Sequence, residues 1–234
     1  KANYTLLCKK ISETFKKANP DYLITAAIPG GGNGPYRFDL GNVAKYLDFI
    51  HIMTYDLQSG SSASHHTALY DSSNTLSGCS VASSVQTYKN SGVPASKIVI
   101  GIAFYGKRTK ATALGARASG GYKALTYDVI REEYLNRLNQ DVVYGFDEVS
   151  QAPYLLDKTN GYYITYDDEV SIKLKCEYAK DNDLGGVMIW EIGEDKSDTL
   201  ITAVYDGIKS TTVEQKVFSS IAKIKIKKEE CYEI

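Results

Sequence analysis

Four short apolar runs, each closed by glycine or polar residues, constrain the fold of this chain most strongly. They are YLITAAIPGGG from Tyr22, FIHIMTY from Phe49, KIVIGIAFYG from Lys97 and LGGVMIWEI from Leu184. Runs of this length and composition are typical of strands buried on both faces. Because helical patterns separate them, we expect the strands to pair in parallel through right-handed crossovers. The predicted fold class is therefore α/β.

Helical patterns fill the segments between these runs. Ser80 and Asp168 stand where helix N-caps belong, and Pro20 and Gly92 follow two of the predicted helix ends. The predicted helices cover 3–19, 42–47, 81–92, 127–138, 168–182 and 199–208.

The stretch between the third and fourth apolar runs has a different pattern. Gly- and Ala-rich turns begin at Lys107, and PYLLDKTNGYYITY supplies two strand-like runs about an Asn-Gly turn. The sequence predicts an α+β insertion over 107–167. In the tail at 209–234, Ile224 and Ile226 alternate with lysines, as in an edge strand or a disordered segment.

Charge and cysteine spacing argue against several classes of function. A formal charge of −1 and a pI near 6.4 give no electrostatic reason to expect nucleic acid or an anionic membrane surface as a partner. No apolar run approaches the roughly 18 residues of a membrane span. The four cysteines are far apart and lack a histidine at ligand spacing, so we expect no metal site and no cofactor, while disulfides stay open. The first residue is Lys1, so we expect the native chain to begin earlier.

The second apolar run ends in a polar triplet, Thr54, Tyr55 and Asp56, where a buried strand should give way to a loop. One interpretation is that the triplet faces a polar ligand. From the residues alone, Tyr55 could instead close the core through a bonded hydroxyl, and Asp56 could cap the next turn. His65 and His66 lie in a Ser-rich loop, where we expect them to be exposed.

Four segments in this order, DFIHIMTYD, KIVIGIAFYGK, APYL…YYITYDD and LGGVMIWEI, resemble glycoside hydrolase family 18, the chitinase family. The resemblance runs from Asn3 to about Ile208 and implies a (β/α)8 TIM barrel with its chemistry at the C-terminal ends of the strands. On that basis the chain supplies barrel strands five to eight, with the insertion between strands seven and eight. The implied divisions are 1–106 for strands five to seven, 107–167 for the insertion, 168–208 for the last helix-strand-helix and 209–234 for the tail.

The resemblance also implies an activity, the cleavage of β-1,4-linked N-acetylglucosamine with the substrate's own acetamide as nucleophile. It assigns catalytic roles to Tyr55 and Asp56, and the triplet would then be polar because it faces a sugar. The implied substrate-binding residues are Met53, Tyr105, Lys107, Trp190, Ala27 beside Ala26, and Glu148 from the insertion. From the residues alone, Trp190 could be core, and the alanines could simply pack a barrel layer. Lys107 stands where the family usually has arginine. Lysine keeps the charge but lacks the planar guanidinium group that can form two parallel hydrogen bonds.

One family signature is missing: no D-x-x-D-x-D-x-E segment, whose glutamate is the family's general acid, occurs in the 234 residues. We therefore expect the chain alone not to hydrolyse chitin, and we expect the N-terminal half of the barrel to complete it, from the same parent chain or a separate one. A chitooligosaccharide-binding, chitinase-like lectin and a peptidoglycan N-acetylglucosaminidase stay open as alternatives. The family's habit implies a secreted protein.

Overall fold

A computed structural model describes residues 1–209 of the chain. Its strands are β1 Thr25–Pro29, β2 Phe49–Met53, β3 Ile98–Ala103, β4 Tyr105–Lys110, β5 Ser119–Thr126, β6 Val142–Asp147, β7 Ala152–Asp157, β8 Tyr162–Thr165 and β9 Gly186–Trp190. Its helices are α1 Ala2–Ala18, α2 Leu40–Val43, α3 Val81–Asn90, α4 Tyr127–Glu133, α5 Glu169–Asp181 and α6 Thr199–Lys209. The fold class is α/β, as the apolar runs predict.

The four apolar runs form one parallel sheet in the order β1-β2-β3-β9. Its isoleucines alternate onto one face, where they are fully buried against the helices: Ile28, Ile50, Ile52, Ile98 and Ile100. The alternate positions on β3, which are Val99, Gly101 and Ala103, are also buried, whereas those on the other strands are half-buried or exposed: Ala27, His51, Met53, Met188 and Trp190. Within the described residues, β1 and β9 each pair with one strand only. Residues 1–209 therefore leave two edges of this sheet unpaired and one of its faces only partly covered.

Side-chain caps start two helices where the sequence places them. The Ser80 hydroxyl accepts a hydrogen bond from the Ser83 amide at the start of α3. Asp168 begins α5 with a capping box, in which its carboxylate accepts from the Ser171 amide and the Ser171 hydroxyl accepts from the Asp168 amide. Both N-cap predictions are confirmed, because each side chain satisfies an amide that has no partner inside the helix.

The insertion is a second sheet, antiparallel, in the order β5-β4-β8-β7-β6. The predicted hairpin of β7 and β8 is confirmed, whereas β4, β5 and β6 were not predicted. The expectation of one strand through KIVIGIAFYG is wrong. The run is divided at Phe104 into β3, which belongs to the parallel sheet, and β4, which belongs to the antiparallel sheet. Helix α4 is shorter than predicted and gives way to a 3₁₀ turn at Leu135–Arg137.

A buried ion pair ties α5 to both sheets. The Lys175 ammonium lies 2.6 Å from Asp167 Oδ1 and donates to the Thr67 hydroxyl at 2.6 Å, with both charged side chains fully buried. Asp167 Oδ2 also accepts from the Ala103 amide at 3.4 Å. The end of β3, the segment after β8 and the middle of α5 therefore share one polar contact.

The expectation that His65 and His66 are exposed is wrong, since both are fully buried. The loop that carries them folds under the insertion, where the His66 amide donates to Thr165 Oγ1 and His65 Nε2 lies 3.2 Å from Asp147 Oδ2. Its many serines satisfy local backbone groups, as when Ser64 accepts from the Ser59 amide.

Among the described residues, no helix is long and apolar enough to cross a membrane. Cys8, Cys79 and Cys176 are buried free thiols. Beyond Lys209, the predicted tail, with the alternation at Ile224 and Ile226, lies outside the described residues, as does Cys231.

Candidate functional site

Asp56 is the centre of a polar cluster that spans both sheets. Its carboxylate Oδ1 accepts a hydrogen bond from the Tyr105 hydroxyl at 2.8 Å and lies 2.9 Å from the Lys107 ammonium. Asp56 follows β2 in the left-handed backbone region (φ 60°), which aspartate tolerates better than most residues. Tyr105 and Lys107 both belong to β4, two positions apart and so on one face of the strand. The ends of β2 and β4 therefore place an anion, a cation and a phenol side by side.

Tyr55 lies against this cluster with its ring nearly buried. It packs edge-on to Tyr105 with ring centroids 5.9 Å apart. Gly101 makes room for it, since a Cβ there would lie 2.7 Å from Tyr55 Cε1. Burial and the Asp56 charge raise the pKa of Tyr55 to about 12, and burial together with the bond to Asp56 raises the pKa of Tyr105 further. Both hydroxyls are therefore neutral donors across the physiological range.

Two methionines lie on the apolar side of the Asp56 cluster. Met53 and Met188 are half-buried and pack against Tyr55, Ala103 and Tyr105. Sequence reasoning named Met53 and missed Met188. A signal was present, because Met188 precedes Trp190 by two positions in one strand and so shares its face.

Trp190 pairs in register with Ala103 at the end of β9. Its side chain is 55% exposed, so it is not packed as a core residue within residues 1–209. Because Ala103 contacts Tyr55 and Tyr105, Trp190 stands on the strand next to the Asp56 cluster. A flat indole face is thus open to solvent beside a set of hydrogen-bonding groups.

Thr54, the first residue of the polar triplet, has a structural role. Its hydroxyl donates to the Gly101 carbonyl at 2.7 Å and accepts from the Gly101 amide at 2.8 Å, and it is fully buried. The expectation that the whole triplet faces a ligand is therefore wrong for Thr54, which joins β2 to β3.

His66 lies beneath Asp56 and was missed as a site neighbour. The Asp56 amide donates to His66 Nδ1 at 3.5 Å, and the same nitrogen lies 3.9 Å from the carboxylate. Burial, followed by the nearby Lys175 and Lys107, holds the pKa of His66 well below its ordinary value. The imidazole is therefore uncharged, and the ammonium of Lys107 is the near counter-ion of Asp56.

Two residues named from the sequence lie apart from this cluster. Ala27 is exposed on β1. It is in register with His51, which precedes Met53 by two residues on β2. Glu148 lies in the turn after β6, exposed, and lines a separate hollow with residues of α5. The structure therefore brings together Met53, Tyr55, Asp56, Tyr105, Lys107 and Trp190.

Comparison with known proteins gives consistent matches. The family model of glycosyl hydrolases family 18 matches residues 1–195. Chitinase A1 of Niallia circulans is 32% identical over 225 residues, which cover 86% of this chain and 32% of that protein. The chain spans 32% of Chitinase A1 and 52% of Chitinase B of Serratia marcescens, so it covers about a third to a half of such curated relatives.

Solved structures agree with the sequence matches. A family 18 N-acetylglucosaminidase from Paenibacillus barengoltzii superposes with a TM-score of 0.82 at 35% identity, covering 89% of this chain and 64% of that one. A Group IV chitinase of Ostrinia furnacalis in complex with allosamidin gives 0.72 at 25% identity, covering 86% and 60%. This chain belongs to glycoside hydrolase family 18.

Proposed function

We propose that this chain forms strands five to eight of a family 18 (β/α)8 barrel that binds and cleaves β-1,4-linked N-acetylglucosamine. The observation that carries the proposal is the meeting of Asp56, Tyr105 and Lys107 beside Tyr55, with Trp190 exposed on the adjoining strand. An exposed indole suits the C–H face of a pyranose ring, and the neutral phenols suit an acetamide. The relative from O. furnacalis, solved with allosamidin, supports a carbohydrate-like occupant.

In this proposal the substrate's acetamide oxygen attacks the anomeric carbon while the glycosidic C–O bond breaks, and water later opens the resulting oxazolinium ion. The Tyr55 hydroxyl, protonated because its pKa is about 12, donates to the acetamide and holds it against the anomeric carbon. Asp56 stabilises the positive charge that develops on the ring system. Lys107 limits how strongly Asp56 can do so, since it already pairs with that carboxylate.

The leaving oxygen needs a proton, and we propose that it comes from outside these 234 residues, which hold no D-x-x-D-x-D-x-E segment. One face of the parallel sheet is only partly covered, and its edge strands β1 and β9 each pair with one strand only within residues 1–209. Both features support further barrel strands beside them. The proposed partner is the N-terminal half of the barrel. General-acid assistance contributes about 10²–10⁴-fold, so the isolated chain should show no useful turnover.

Trp190 is the only tryptophan, so its fluorescence reports on the proposed cleft alone. We expect a tetrasaccharide of N-acetylglucosamine to change its emission in a saturable way. Tyr55→Phe removes one hydrogen-bond donor and should weaken binding about three- to tenfold, the equivalent of about 0.5–1.5 kcal/mol. Emission that does not change at millimolar sugar would contradict the proposal.

A second measurement separates an enzyme from a binding protein. The chain is combined with an N-terminal half that carries the glutamate, and turnover of a chromogenic chitobioside is followed, with the glutamate replaced by glutamine as the control. Turnover in the first mixture only supports the hydrolase. Saturable binding without turnover in either mixture would indicate a lectin.

A further inference from the structure

Glu194 is a second carboxylate close to the Asp56 cluster. It follows Trp190 by four residues and ends a 3₁₀ turn at Ile192–Glu194. The side chain is half-buried, and its Oε2 atom is buried without a hydrogen-bond partner among residues 1–209. Buried polar atoms in folded proteins are nearly always paired, so this one calls for an explanation.

The main chain around Glu194 is held on both sides. Before it, the Trp190 carbonyl accepts a hydrogen bond from the Phe104 amide at 2.8 Å, which ties the end of β9 to the start of β4. After it, Asp195 Oδ2 accepts from the Leu200 amide at 2.7 Å, at the start of α6. Glu194 therefore stands on a fixed turn next to β4, the strand that supplies the phenol and the ammonium of the cluster.

The charge of Glu194 acts on both of these groups. Burial raises the pKa of Glu194 above its ordinary value, the charge of Glu191 adds to the rise, and the Lys107 ammonium opposes it. Burial and Asp56 raise the pKa of Tyr105 most, and the Glu194 charge adds to that effect. Within the described residues, however, the only ion pair of Lys107 is the one with Asp56. Lys107 thus has one carboxylate in contact and a second one near it but apart.

The space between Lys107 and Glu194 suits a sugar hydroxyl. An ammonium has three donors, and within the described residues Lys107 directs one of them at Asp56. Glu194 Oε2 offers an acceptor that receives nothing. A hydroxyl oxygen can accept from the ammonium and donate to the carboxylate at the same time, which neither the carbonyl oxygen nor the N–H of an acetamide can do alone.

The other unpaired atoms of the described residues belong to the same region. Besides Glu194 Oε2, the buried side-chain atoms without a partner are His66 Nε2 and Gln58 Oε1. His66 is fully buried and lies beneath Asp56, and Gln58 follows Asp56 by two residues. Unpaired polar atoms are therefore concentrated in residues around the Asp56 cluster, as expected where a polar ligand completes the hydrogen bonding.

We propose that Glu194 is a substrate-binding residue of the main cleft, whose carboxylate accepts a hydrogen bond from a sugar hydroxyl to which Lys107 donates. This assignment rests on the proposed function. It also gives a reason for lysine at position 107. A compact ammonium can direct separate donors at a carboxylate and at a hydroxyl, whereas the guanidinium of arginine donates in one plane.

Binding of the N-acetylglucosamine tetrasaccharide to the full chain, followed by Trp190 emission, tests the assignment. At pH 7, Glu194→Gln should bind about tenfold more weakly, because the hydroxyl no longer donates to a charged group. Its Tm should equal or exceed that of the wild type, since the change removes a buried carboxylate oxygen that has no partner. Glu132→Gln removes the same charge from an exposed position of α4 and should bind as the wild type does.

The pH dependence separates a sugar-binding carboxylate from one with a structural role. The ionised carboxylate is the stronger acceptor, so the advantage of wild type over Glu194→Gln should shrink as the pH falls through the raised pKa of Glu194. Glu191→Gln removes a negative neighbour and should move this fall to lower pH, whereas Lys107→Met should move it to higher pH. In each background the affinity is compared with and without Glu194→Gln. The other titratable and charged groups around the turn then cancel: Asp56, His66, Tyr105, Asp128, Arg131, Asp195 and Lys196.

Three results would overturn the assignment. Equal affinity of wild type and Glu194→Gln, or an affinity ratio that does not change with pH, would do so and leave the main cleft standing. Weaker association with the N-terminal half of the barrel in Glu194→Gln, with sugar affinity unchanged, would make Glu194 an interface residue instead. Failure of the proposed function looks different, because Trp190 would then not respond to the tetrasaccharide in any of these proteins, and both proposals would fall together.

Discussion

The Lys107 ammonium lies 2.9 Å from Asp56 Oδ1, so the charge of the aspartate is partly neutralised before any ligand arrives. Asp56 is half exposed, and a surface ion pair of this kind contributes little to stability. Its effect should appear in ligand binding, because the pair fixes which way the carboxylate points.

Lys107→Met tests this effect. Methionine keeps the length of the side chain and removes the charge, so Asp56 loses its counter-ion while Tyr105 still donates to it. We expect affinity for the acetylated tetrasaccharide, measured by Trp190 emission, to fall about tenfold, or by about 1.4 kcal/mol, because the Asp56 carboxylate is no longer oriented. The Tm should change little. Lys107→Arg is the matched control and should stay within threefold of wild type. Identical affinities in all three proteins would remove Lys107 from the site.

Gly101→Ala should damage the site through Tyr55. The added Cβ would lie 2.7 Å from the Tyr55 ring and 2.9 Å from the Ile52 carbonyl, so the ring must shift. We expect a loss of about 1–3 kcal/mol in the free energy of unfolding, measured in urea, together with weaker sugar binding. Gly60→Ala is the control, since nothing lies within 4 Å of a Cβ there, and it should be neutral. Wild-type stability in Gly101→Ala would mean that Tyr55 is not held as described.

Lys175→Met should be among the most destabilising single changes in the chain. It would leave the Asp167 carboxylate buried without its cation, which typically costs about 3–5 kcal/mol. Denaturant unfolding measures the loss. The double variant Lys175→Met, Asp167→Asn removes both charges and should recover a large part of it. A double variant less stable than the single one would contradict the description of the pair as a charge-balanced unit.

Asp168 predicts a pH dependence of stability with a defined sign. Burial raises its pKa from 3.8 to about 6, against the lowering effect of its bonds to the Ser171 amide and the Tyr144 hydroxyl. The folded state therefore holds this proton more tightly than the unfolded state, and stability from this group is present below pH 4 and lost as pH rises through 6. Asp168→Asn keeps the cap and cannot titrate. The stability difference between wild type and variant should favour wild type less at pH 7 than at pH 4, and a flat difference would refute the assignment.

Much of the parallel sheet could be predicted, because a strand buried on both faces appears in the sequence as an apolar run, whichever strand it pairs with. Tyr55 and Asp56 stood out for a related reason, since polar residues that follow an apolar run can be seen in the sequence itself, whereas Tyr105 was named only through the family resemblance. Thr54 shows the limit of that argument. Its polarity serves a bond to Gly101, 47 residues away, which the local sequence does not reveal.

The parts that were missed depend on distant contacts. Strand β5 contains two consecutive glycines and is mostly exposed, so its identity as a strand comes from pairing with β4 and not from its own propensity. His66 looked exposed because its neighbours are serines and histidine. It is buried under the insertion, where Thr165, 99 residues later, accepts a hydrogen bond from its amide. Contacts between residues this far apart in the chain have no signature in a single sequence.

Phe104 bears on how this protein could be recombined with its relatives. It is the single residue between β3 and β4, and it is fully buried. Its amide donates to the Trp190 carbonyl, and its carbonyl accepts from the Tyr127 amide. An exchange of insertions with a crossover at residues 104–107 would separate Asp56 from the phenol and ammonium that orient it. Chimaeras joined outside that segment should keep the cluster whole, so the workable unit of exchange is the antiparallel sheet together with the strand that leads into it.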